Sequence, residues 1–172
     1  MTGSVEETFD TLMGELVSPM VVVTTASGGT RAGCLVGFHV QCGLEPPRYA
    51  IWLSKANRTY KVGALSEVFA VHFLARGDRA IAELFGAATG DEVDKFDRCS
   101  WTEGEGGVPL VDACPNRFTG RRTAWLDAGD DHVCIVLEPV EAEHVGLGRP
   151  LSLFDVVDLE PGHGATERQR PR

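Results

Sequence analysis

The first apolar pattern in the chain is that of a helix. Within residues 5–17, apolar side chains recur at spacings of four, three, one and three positions, which places them along one face of a helix. Ser4 and Glu7 have the spacing of a capping box, and Pro19 ends the pattern. We therefore expect an N-terminal helix that packs its apolar face on the protein core.

Six later segments have the β-branched and aromatic composition of strands. They are 20–25, 31–40, 48–54, 69–75, 116–126 and 132–144. Ser27, Gly28 and Gly29 separate the first two segments and predict a hairpin turn. Pro46 and Pro47 precede the third segment, and because prolines donate no backbone hydrogen bond, this pair predicts a rigid connector.

Two more helices are predicted between these strands. Asn57 is positioned to cap a short helix over 57–66, and Asp78 to cap another over 78–88. Residues 89–109 are polar and rich in glycine, which predicts a long loop. Because the strands follow one another closely, without βαβ alternation, we expect a mainly β barrel or sandwich with helices at its flank.

The length and composition indicate one globular domain. Of the 172 residues, 43% are hydrophobic and 24% are charged, which is ordinary for a folded protein. We assign residues 1–160 to a single domain. The polar tail over 161–172 has too few apolar side chains to join a core, so we expect it to be disordered.

The charge balance argues against nucleic acid as a partner. The chain has 25 acidic and 16 basic residues and a formal net charge of −9, whereas nucleic-acid-binding surfaces are usually basic. No apolar run is long enough to cross a bilayer, and the N-terminus has no secretory pattern. Five cysteines without a CxxC motif predict reduced thiols. We expect a cytoplasmic protein that binds neither nucleic acid nor membrane.

Several common catalytic motifs are missing from the sequence. It has no Rossmann glycine motif, P-loop, GxSxG elbow, HExxH pair or paired CxxC motif. His132 and Cys134 alternate along one predicted strand, but no second pair with ligand spacing accompanies them, so no metal site is expected. Asp127, Asp130 and Asp131 are typical of a solvated turn.

The most informative stretch lies between residues 18 and 66. It begins with a V-V-V-T-T strand and continues through a glycine-rich turn to A-G-C-L-V-G-F-H-V-Q-C. It then reads L-E-P-P and S-K-A-N-R-T. This order resembles the flavin reductase-like family, whose FMN-binding split barrel has a V-V-T-T strand, an A-G segment, a P-P pair and an S-K/R-x-S/N-x-T segment.

The resemblance continues beyond that stretch. F-A-V-H-F-L at 69–74 looks like the family's F-A-V-N-x-L strand, and Phe96 with Trp101 looks like its D-R/K-F…W loop. G-V-P-L-V at 107–111 resembles its G-x-P-x-L turn. A-G-D-D-H at 128–132 resembles its A-G-D-H motif with one extra aspartate.

The resemblance implies a six-stranded antiparallel Greek-key split barrel that binds FMN. It implies a flavin reductase that transfers hydride from NADH or NADPH to flavin, with FAD as an alternative to FMN. Members of the family are usually homodimers and often supply reduced flavin to a separate monooxygenase. A homodimer and a monooxygenase partner are therefore expected for this chain.

The same resemblance, read with the chemistry of FMN, implies a set of site residues. The phosphate favours basic side chains and backbone N–H groups near a helix start, and glycine allows close backbone approach. The candidate cofactor-binding residues are Gly37, Phe38, His39, Val40, Gln41, Cys42, Ser54, Lys55, Asn57, Arg58 and Thr59. By resemblance, His132 is the candidate catalytic residue beside the flavin or the nicotinamide.

Several of these residues have a purely structural interpretation as well. Gly37 also fits a β-bulge, and Phe38 also fits the core. His132 fits either the active site or a pair with a neighbouring aspartate at the start of its strand. His72, in the middle of a predicted strand and outside the candidate set, is predicted to be structural.

Two other functions stay open on the sequence alone. Residues 37–40 carry no hydroxyl side chain where the family often has one, which motivates a flavoprotein that acts on another substrate or uses a deazaflavin as reductant. The second is a non-enzymatic module that binds flavin or haem, since the five histidines offer axial ligands. The choice between NADH and NADPH also stays open.

Overall fold

The computed structural model describes residues 4–87 and 93–160. These ranges contain nine strands and three α-helices. The helices are α1 (Val5–Gly14), α2 (Arg58–Ala64) and α3 (Arg79–Gly86). The strands are β1 (Val21–Ser27), β2 (Thr30–Val36), β3 (His39–Leu44), β4 (Pro47–Ser54), β5 (Val68–Phe73), β6 (Trp101–Glu103), β7 (Pro109–Val111), β8 (Arg117–Leu126) and β9 (His132–Glu143).

Seven of the strands form one antiparallel sheet in the order β2-β1-β5-β8-β9-β4-β3. This confirms the predicted mainly β class with flanking helices, but the predicted count of six strands is wrong. The segment predicted as one strand over 31–40 is interrupted at Gly37 and Phe38, which belong to no strand. As a result β2 pairs with β1, whereas β3 pairs with β4 at the other edge of the sheet.

The predicted hairpin of β1 and β2 is confirmed. The two strands pair in register from Val21 opposite Val36 to Ser27 opposite Thr30, with only two residues in the turn. Those residues, Gly28 and Gly29, have φ angles of +55° and +78°. Two successive positive φ angles are what a tight hairpin turn requires, and glycine adopts them without a Cβ clash.

Alternating side chains of the large sheet form the main core. Strands β1, β5 and β9 contribute inward-facing apolar residues at every second position, as the period of two in their sequences requires. The fully buried members from these and the neighbouring strands are Val21, Val23, Ile51, Phe69, Val71, Val133, Ile135 and Leu137. A second cluster under α3, with Phe85 and Phe96, lies against the other face of β1.

Capping explains where α2 begins, whereas α3 begins without a side-chain cap. The side chain of Asn57 accepts a hydrogen bond from the N–H of Thr59 at 3.1 Å, which confirms Asn57 as the N-cap of α2. Asp78 precedes α3, but its carboxylate accepts from the N–H of Ala75 at 2.8 Å. Asp78 therefore closes the turn before the helix instead of capping the first turn of α3.

Helix α1 forms as predicted, but it does not pack on the core. Ser4 and Glu7 make both hydrogen bonds of a capping box, at 3.1 and 2.8 Å. No residue of α1 is buried: Val5 is 89% exposed, Phe9 58% and Leu12 53%. The periodicity identified a helix with an apolar face, but it does not identify the surface that covers that face.

The segment predicted as a loop over 89–109 contains a small ribbon. Trp101 opens β6, which pairs with β7 in a two-stranded sheet. The Trp101 ring packs on Phe96, with ring centroids 5.9 Å apart, so these aromatic side chains cover the second core cluster. Residues 88–92 lie outside the described ranges, as does 161–172, where the sequence predicts a disordered tail.

The helices of the described ranges do not have the character of membrane spans. None of them combines the length and apolar character that a crossing of the bilayer requires. All five cysteines lie in the described ranges, and each is a free thiol.

His72 on β5 is a buried structural residue, as predicted. Its Nδ1 lies 3.2 Å from the carbonyl oxygen of Val22, and its Nε2 accepts the N–H of Val111 at 3.0 Å. The ring is therefore neutral, with its proton on Nδ1. Burial lowers the pKa of His72 to about 4, because the charged form cannot be solvated there.

The lowered pKa of His72 predicts a loss of stability in mild acid. An unfolded histidine titrates near pH ~6.5, so as the pH falls the unfolded state binds a proton that the folded state does not. We expect this residue to lower the free energy of unfolding by about 3 kcal/mol between pH ~6.5 and pH ~4. Urea unfolding across this range measures it.

The variant His72→Gln keeps an acceptor for Val111 and removes the titrating group, so its stability should fall less steeply over the same pH range. The matched control is His144→Gln, at an exposed histidine, which should keep the wild-type slope. Parallel slopes for wild type and His72→Gln would contradict the prediction.

Candidate active site

An apolar cavity lies between the ends of β2 and β4 and helix α1. Its volume is about 730 Å³, and its lining is mostly apolar. Leu35 from β2 and Trp52 from β4 contribute large side chains, and Gly37 and Phe38 line it where the chain leaves β2.

His132 lies at the rim of this cavity. It begins β9 and pairs with Ser54, the last residue of β4, and both residues line the cavity. Its Nδ1 is 2.9 Å from a carboxylate oxygen of Asp131. The ring also meets Phe38 edge-on, with centroids 5.3 Å apart.

A second, polar cavity of about 330 Å³ adjoins the first. The linings of the two cavities contain chain neighbours, with Gly33 in the polar one and Cys34 in the apolar one on β2. The same holds before α2, where Arg58 lines the polar cavity and Asn57 the apolar one. The two cavities therefore lie side by side along β2 and the start of α2.

Lys95 is the most unusual residue in the polar cavity, because its ammonium group is buried. Its Nζ donates to the carbonyl oxygens of Gly33, at 3.1 Å, and Phe85, at 2.9 Å. Burial lowers the pKa of Lys95, since the charged form loses solvation. Two of the three N–H donors are used by carbonyls, which leaves one for the cavity.

Thr59 also lines the polar cavity and is 1% exposed. Within the described ranges, its hydroxyl is one of two buried side-chain groups without an oxygen or nitrogen hydrogen-bond partner. The thiol of Cys34 lies beside it, and sulfur is only a weak acceptor. The Cys34 thiol is therefore a weak partner for the Thr59 hydroxyl, which keeps the capacity for a stronger hydrogen bond.

The polar cavity is cationic in a protein that is acidic overall. Among the described residues, Arg31, Arg58 and Lys95 line it together with the carboxylate of Asp94. Arg31 lies 3.5 Å from Asp94 and packs over the ring of Trp101 at 4.7 Å, so its guanidinium group is held in place. This local excess of positive charge favours an anionic ligand.

The structure brings together seven of the twelve residues that the sequence predicted for the site. The apolar cavity is lined by Gly37, Phe38, Ser54, Asn57 and His132, and the polar one by Arg58 and Thr59. The other five line neither cavity, namely His39, Val40, Gln41, Cys42 and Lys55. The contact of these five residues with a cofactor stays a prediction from sequence.

Four of these five residues lie on β3. They do not line the cavity because this strand leaves it to pair with the outer side of β4. His39 has both ring nitrogens occupied, Nδ1 by the hydroxyl of Tyr49 at 2.6 Å and Nε2 by the carbonyl oxygen of Pro19 at 2.9 Å. Burial lowers the pKa of His39 and raises the pKa of Tyr49 to about 12. Gln41 donates to the carbonyl of Gly43 on its own strand.

Lys55 makes a structural ion pair instead of lining the site. Its Nζ lies 2.6 Å from a carboxylate oxygen of Asp127, in the turn between β8 and β9. This contact holds the pKa of Asp127 below its usual range. The sequence placed Lys55 correctly near the start of α2, but it did not show which acidic residue would lie opposite.

Sequence reasoning missed four residues that shape the cavities. Two are cations, Arg31 and Lys95, and two are apolar walls, Leu35 and Trp52. Lys95 directly precedes Phe96, in a motif that stands out in the sequence for its aromatic residue alone. A lysine in a polar segment is normally solvated, so only the fold shows that this one is buried.

Comparison with known proteins supports a single family. A family model described as "Flavin reductase like domain" matches residues 13–155. The chain belongs to this family. It is 31% identical over 147 residues to the FMN reductase (NADH) SmoA of Agrobacterium fabrum, a match that covers 83% of this chain and 79% of that protein.

A second relative is named as the reductase subunit of a monooxygenase. The chain is 27% identical over 153 residues to HsaB of Rhodococcus jostii, the reductase subunit of a flavin-dependent monooxygenase. The match covers 89% of this chain and 71% of HsaB.

Solved structures support the same fold. The flavin reductase HpaC, complexed with NADP⁺, is similar with a TM-score of 0.76 and 21% identity, over 86% of this chain and 92% of HpaC. A flavin reductase domain protein from Arthrobacter sp. has a TM-score of 0.77 and 20% identity, over 86% and 89% of the two chains. The chain spans 51% of a similar Sinorhizobium meliloti protein, with a TM-score of 0.75 and 23% identity over 88% of this chain.

The surroundings of Gly37 predict that this glycine is present for a ligand. Its φ is not positive, and a Cβ there would lie 3.4 Å from the sulfur of Met20, an ordinary contact. We expect Gly37→Ala to change the free energy of unfolding by less than about 1 kcal/mol. FMN affinity, measured by flavin fluorescence, should fall several-fold because the methyl group occupies the cavity.

The matched control is Gly77→Ala, where a Cβ meets nothing within 4 Å and neither cavity is lined by the glycine. It should change neither quantity. Unchanged FMN affinity in Gly37→Ala would show that the glycine at position 37 has no role in binding.

Proposed function

We propose that this chain is a flavin reductase that transfers hydride from NADH or NADPH to FMN, with FAD as an alternative flavin. The observation that carries the proposal is the pair of adjoining cavities. One is apolar, with Trp52 and Leu35 among its walls, and the other is cationic. FMN has the same division, with a flat apolar ring at one end and an anionic phosphate at the other.

The size and chemistry of the cavities fit this ligand. A volume of about 730 Å³ lies within the ~300–1,000 Å³ range typical of small-molecule sites. In the polar cavity, Arg58 and Lys95 would supply charge to a phosphate, and the Thr59 hydroxyl would offer it a hydrogen bond stronger than the one to the Cys34 thiol. The backbone at Gly37 would let the ring approach the chain closely.

The chain contributes binding and orientation, whereas a bound flavin supplies the chemistry of hydride acceptance from a reduced nicotinamide. The apolar walls, Leu35 and Trp52, exclude water from the space for the ring. His132 lies at the rim with its Nδ1 engaged by Asp131. Nε2, the ring nitrogen that Asp131 does not engage, is the candidate hydrogen-bonding atom for the second substrate.

The names of the relatives favour a role as the partner of a separate monooxygenase. SmoA is named as an FMN reductase (NADH), and HsaB as the reductase subunit of a flavin-dependent monooxygenase. We propose that this chain likewise supplies reduced flavin to a separate monooxygenase. Such a function needs a reductase in a compartment that contains reduced nicotinamide, and five free cysteines fit a reducing cytoplasm.

Two features of the fold support proposals about its assembly. Residues of β2 and β4, which are not hydrogen-bonded to each other, share one buried cluster that contains Cys34, Val36, Ile51 and Leu53. This supports a sheet that curls into a Greek-key split barrel.

The exposed apolar face of α1 supports a homodimer, because burial against a second chain would remove that face from water. Sedimentation velocity measures the oligomeric state.

A kinetic assay tests the proposed function. Purified protein with added FMN should oxidise NADH or NADPH well above the rate with free FMN alone, and its absorbance spectrum should change on FMN titration. Turnover with a reduced deazaflavin but with neither nicotinamide would favour the alternative reductant. Absence of any flavin binding would overturn the proposal, and a Soret band on titration with haem would favour a haem-binding module.

Substitution of Arg58 provides a sharper prediction, because the loss of flavin affinity should depend on whether the flavin carries a phosphate. We expect Arg58→Gln to weaken FMN binding about tenfold, the usual worth of one charge-assisted hydrogen bond. Riboflavin has the same ring without the phosphate, so its affinity should change less than about twofold. Flavin fluorescence titration measures both.

The control is Arg48→Gln, which removes an arginine that pairs with Glu138 at 3.1 Å and lines neither cavity. It should leave both affinities unchanged. An equal loss for FMN and riboflavin in Arg58→Gln would place the phosphate elsewhere.

A further inference from the structure

The turn between β8 and β9 is clamped to the end of β4 at two points. The backbone N–H of Lys55 donates to the carbonyl oxygen of Asp131 at 2.8 Å. Its ammonium group pairs with Asp127 at 2.6 Å, and the same carboxylate oxygen accepts the N–H of Gly129 at 2.8 Å. Lys55 therefore fixes both ends of a turn that the sequence suggests only as a solvated acidic segment.

The clamp places the carboxylate of Asp131 against His132. The distance from its oxygen to Nδ1 is 2.9 Å, and this hydrogen bond is the main reason that the pKa of Asp131 lies below its usual range. A carboxylate only accepts hydrogen bonds, so Nδ1 must carry a proton whether the ring is neutral or charged. In the neutral ring, Nε2 is then left without a proton.

The cavity side of His132 is ordered by a different contact. Phe38 meets the ring edge-on, at 5.3 Å between centroids and an interplanar angle of 63°. Asp131 and Phe38 thus contact the imidazole at two places and favour one orientation of the ring. A flip of the ring would break the hydrogen bond between Nδ1 and Asp131.

From these contacts we propose that Asp131 is a positioning residue for the reductase reaction. It holds His132 in the Nδ1–H tautomer, so that Nε2 at the cavity rim accepts a hydrogen bond from the second substrate, with the nicotinamide carboxamide as the donor group. Lys55 contributes to the position of His132 as well, because it fixes the turn that carries Asp131. The inference rests on the proposed function for the identity of that substrate, but not for the tautomer.

The first experiment uses the protein without flavin. Imidazole ¹⁵N–¹H correlation spectra are recorded at a pH where the ring is neutral, and the His132 signals are assigned from their loss in His132→Gln. We expect the Nδ1–H tautomer in wild type and a shift toward the Nε2–H tautomer in Asp131→Ala. The matched control is Asp130→Asn in the same turn, which should keep the wild-type tautomer. The same tautomer in wild type and Asp131→Ala would overturn the inference.

The second experiment measures the kinetic consequence. Asp131→Ala should lower kcat/KM for the reduced nicotinamide about tenfold, the effect of one lost oriented hydrogen bond, mainly through KM. FMN affinity and the urea midpoint should stay near wild type, since the carboxylate is partly exposed and lines neither cavity. An unchanged kcat/KM with a shifted tautomer would overturn the catalytic half of the inference. If wild type itself oxidises no nicotinamide, the proposed function fails, while the tautomer result still decides the role of Asp131.

Discussion

The two-residue interruption at Gly37 and Phe38 is the constraint on which the rest of the structure depends. Backbone groups in a folded chain must find hydrogen-bond partners, so a strand that leaves its ladder has to enter another. After the interruption the chain moves from the β2 edge of the sheet to the β3 edge. This movement places β2 and β3 at opposite edges of the sheet with five strands between them, and the two residues of the interruption line the apolar cavity.

The charge around the polar cavity differs from the net charge of the chain. The chain as a whole is strongly acidic, yet the described lining of the polar cavity has three cations and one carboxylate, a balance that favours a negatively charged ligand. Lys95 is the clearest case, because its ammonium group is held by carbonyls of β2 and α3. A buried charge with such partners ties two elements together while it also faces the site. A phosphate in this cavity would therefore contact the same group that joins the helix to the sheet.

Much of the fold could be predicted from sequence because its signals are local, whereas the missed parts depend on pairing partners far along the chain. The period of two along β1 and β9, the two glycines of the first turn and the capping side chain of Asn57 all act within a few residues. The missed strand boundary at Gly37 is different. A single apolar-rich segment over 31–40 satisfies the pattern of one strand, and only the pairing partners of its two halves show that it is two. In the site, residues near the start of α2 line the cavities because a short motif fixes both the helix and its cap. Lys55 precedes the same helix but lines neither cavity, because it forms an ion pair with Asp127, 72 positions later.

Helix α1 has little to stabilise it apart from its own hydrogen bonds. Its capping box closes the first turn, but the helix has only ten residues and none of them is buried. Helices this short are marginally stable in water unless an apolar face is packed. A surface that covers α1 beside the cavity would therefore stabilise the helix as it binds, and part of the free energy of burial would offset the entropy of ordering the segment.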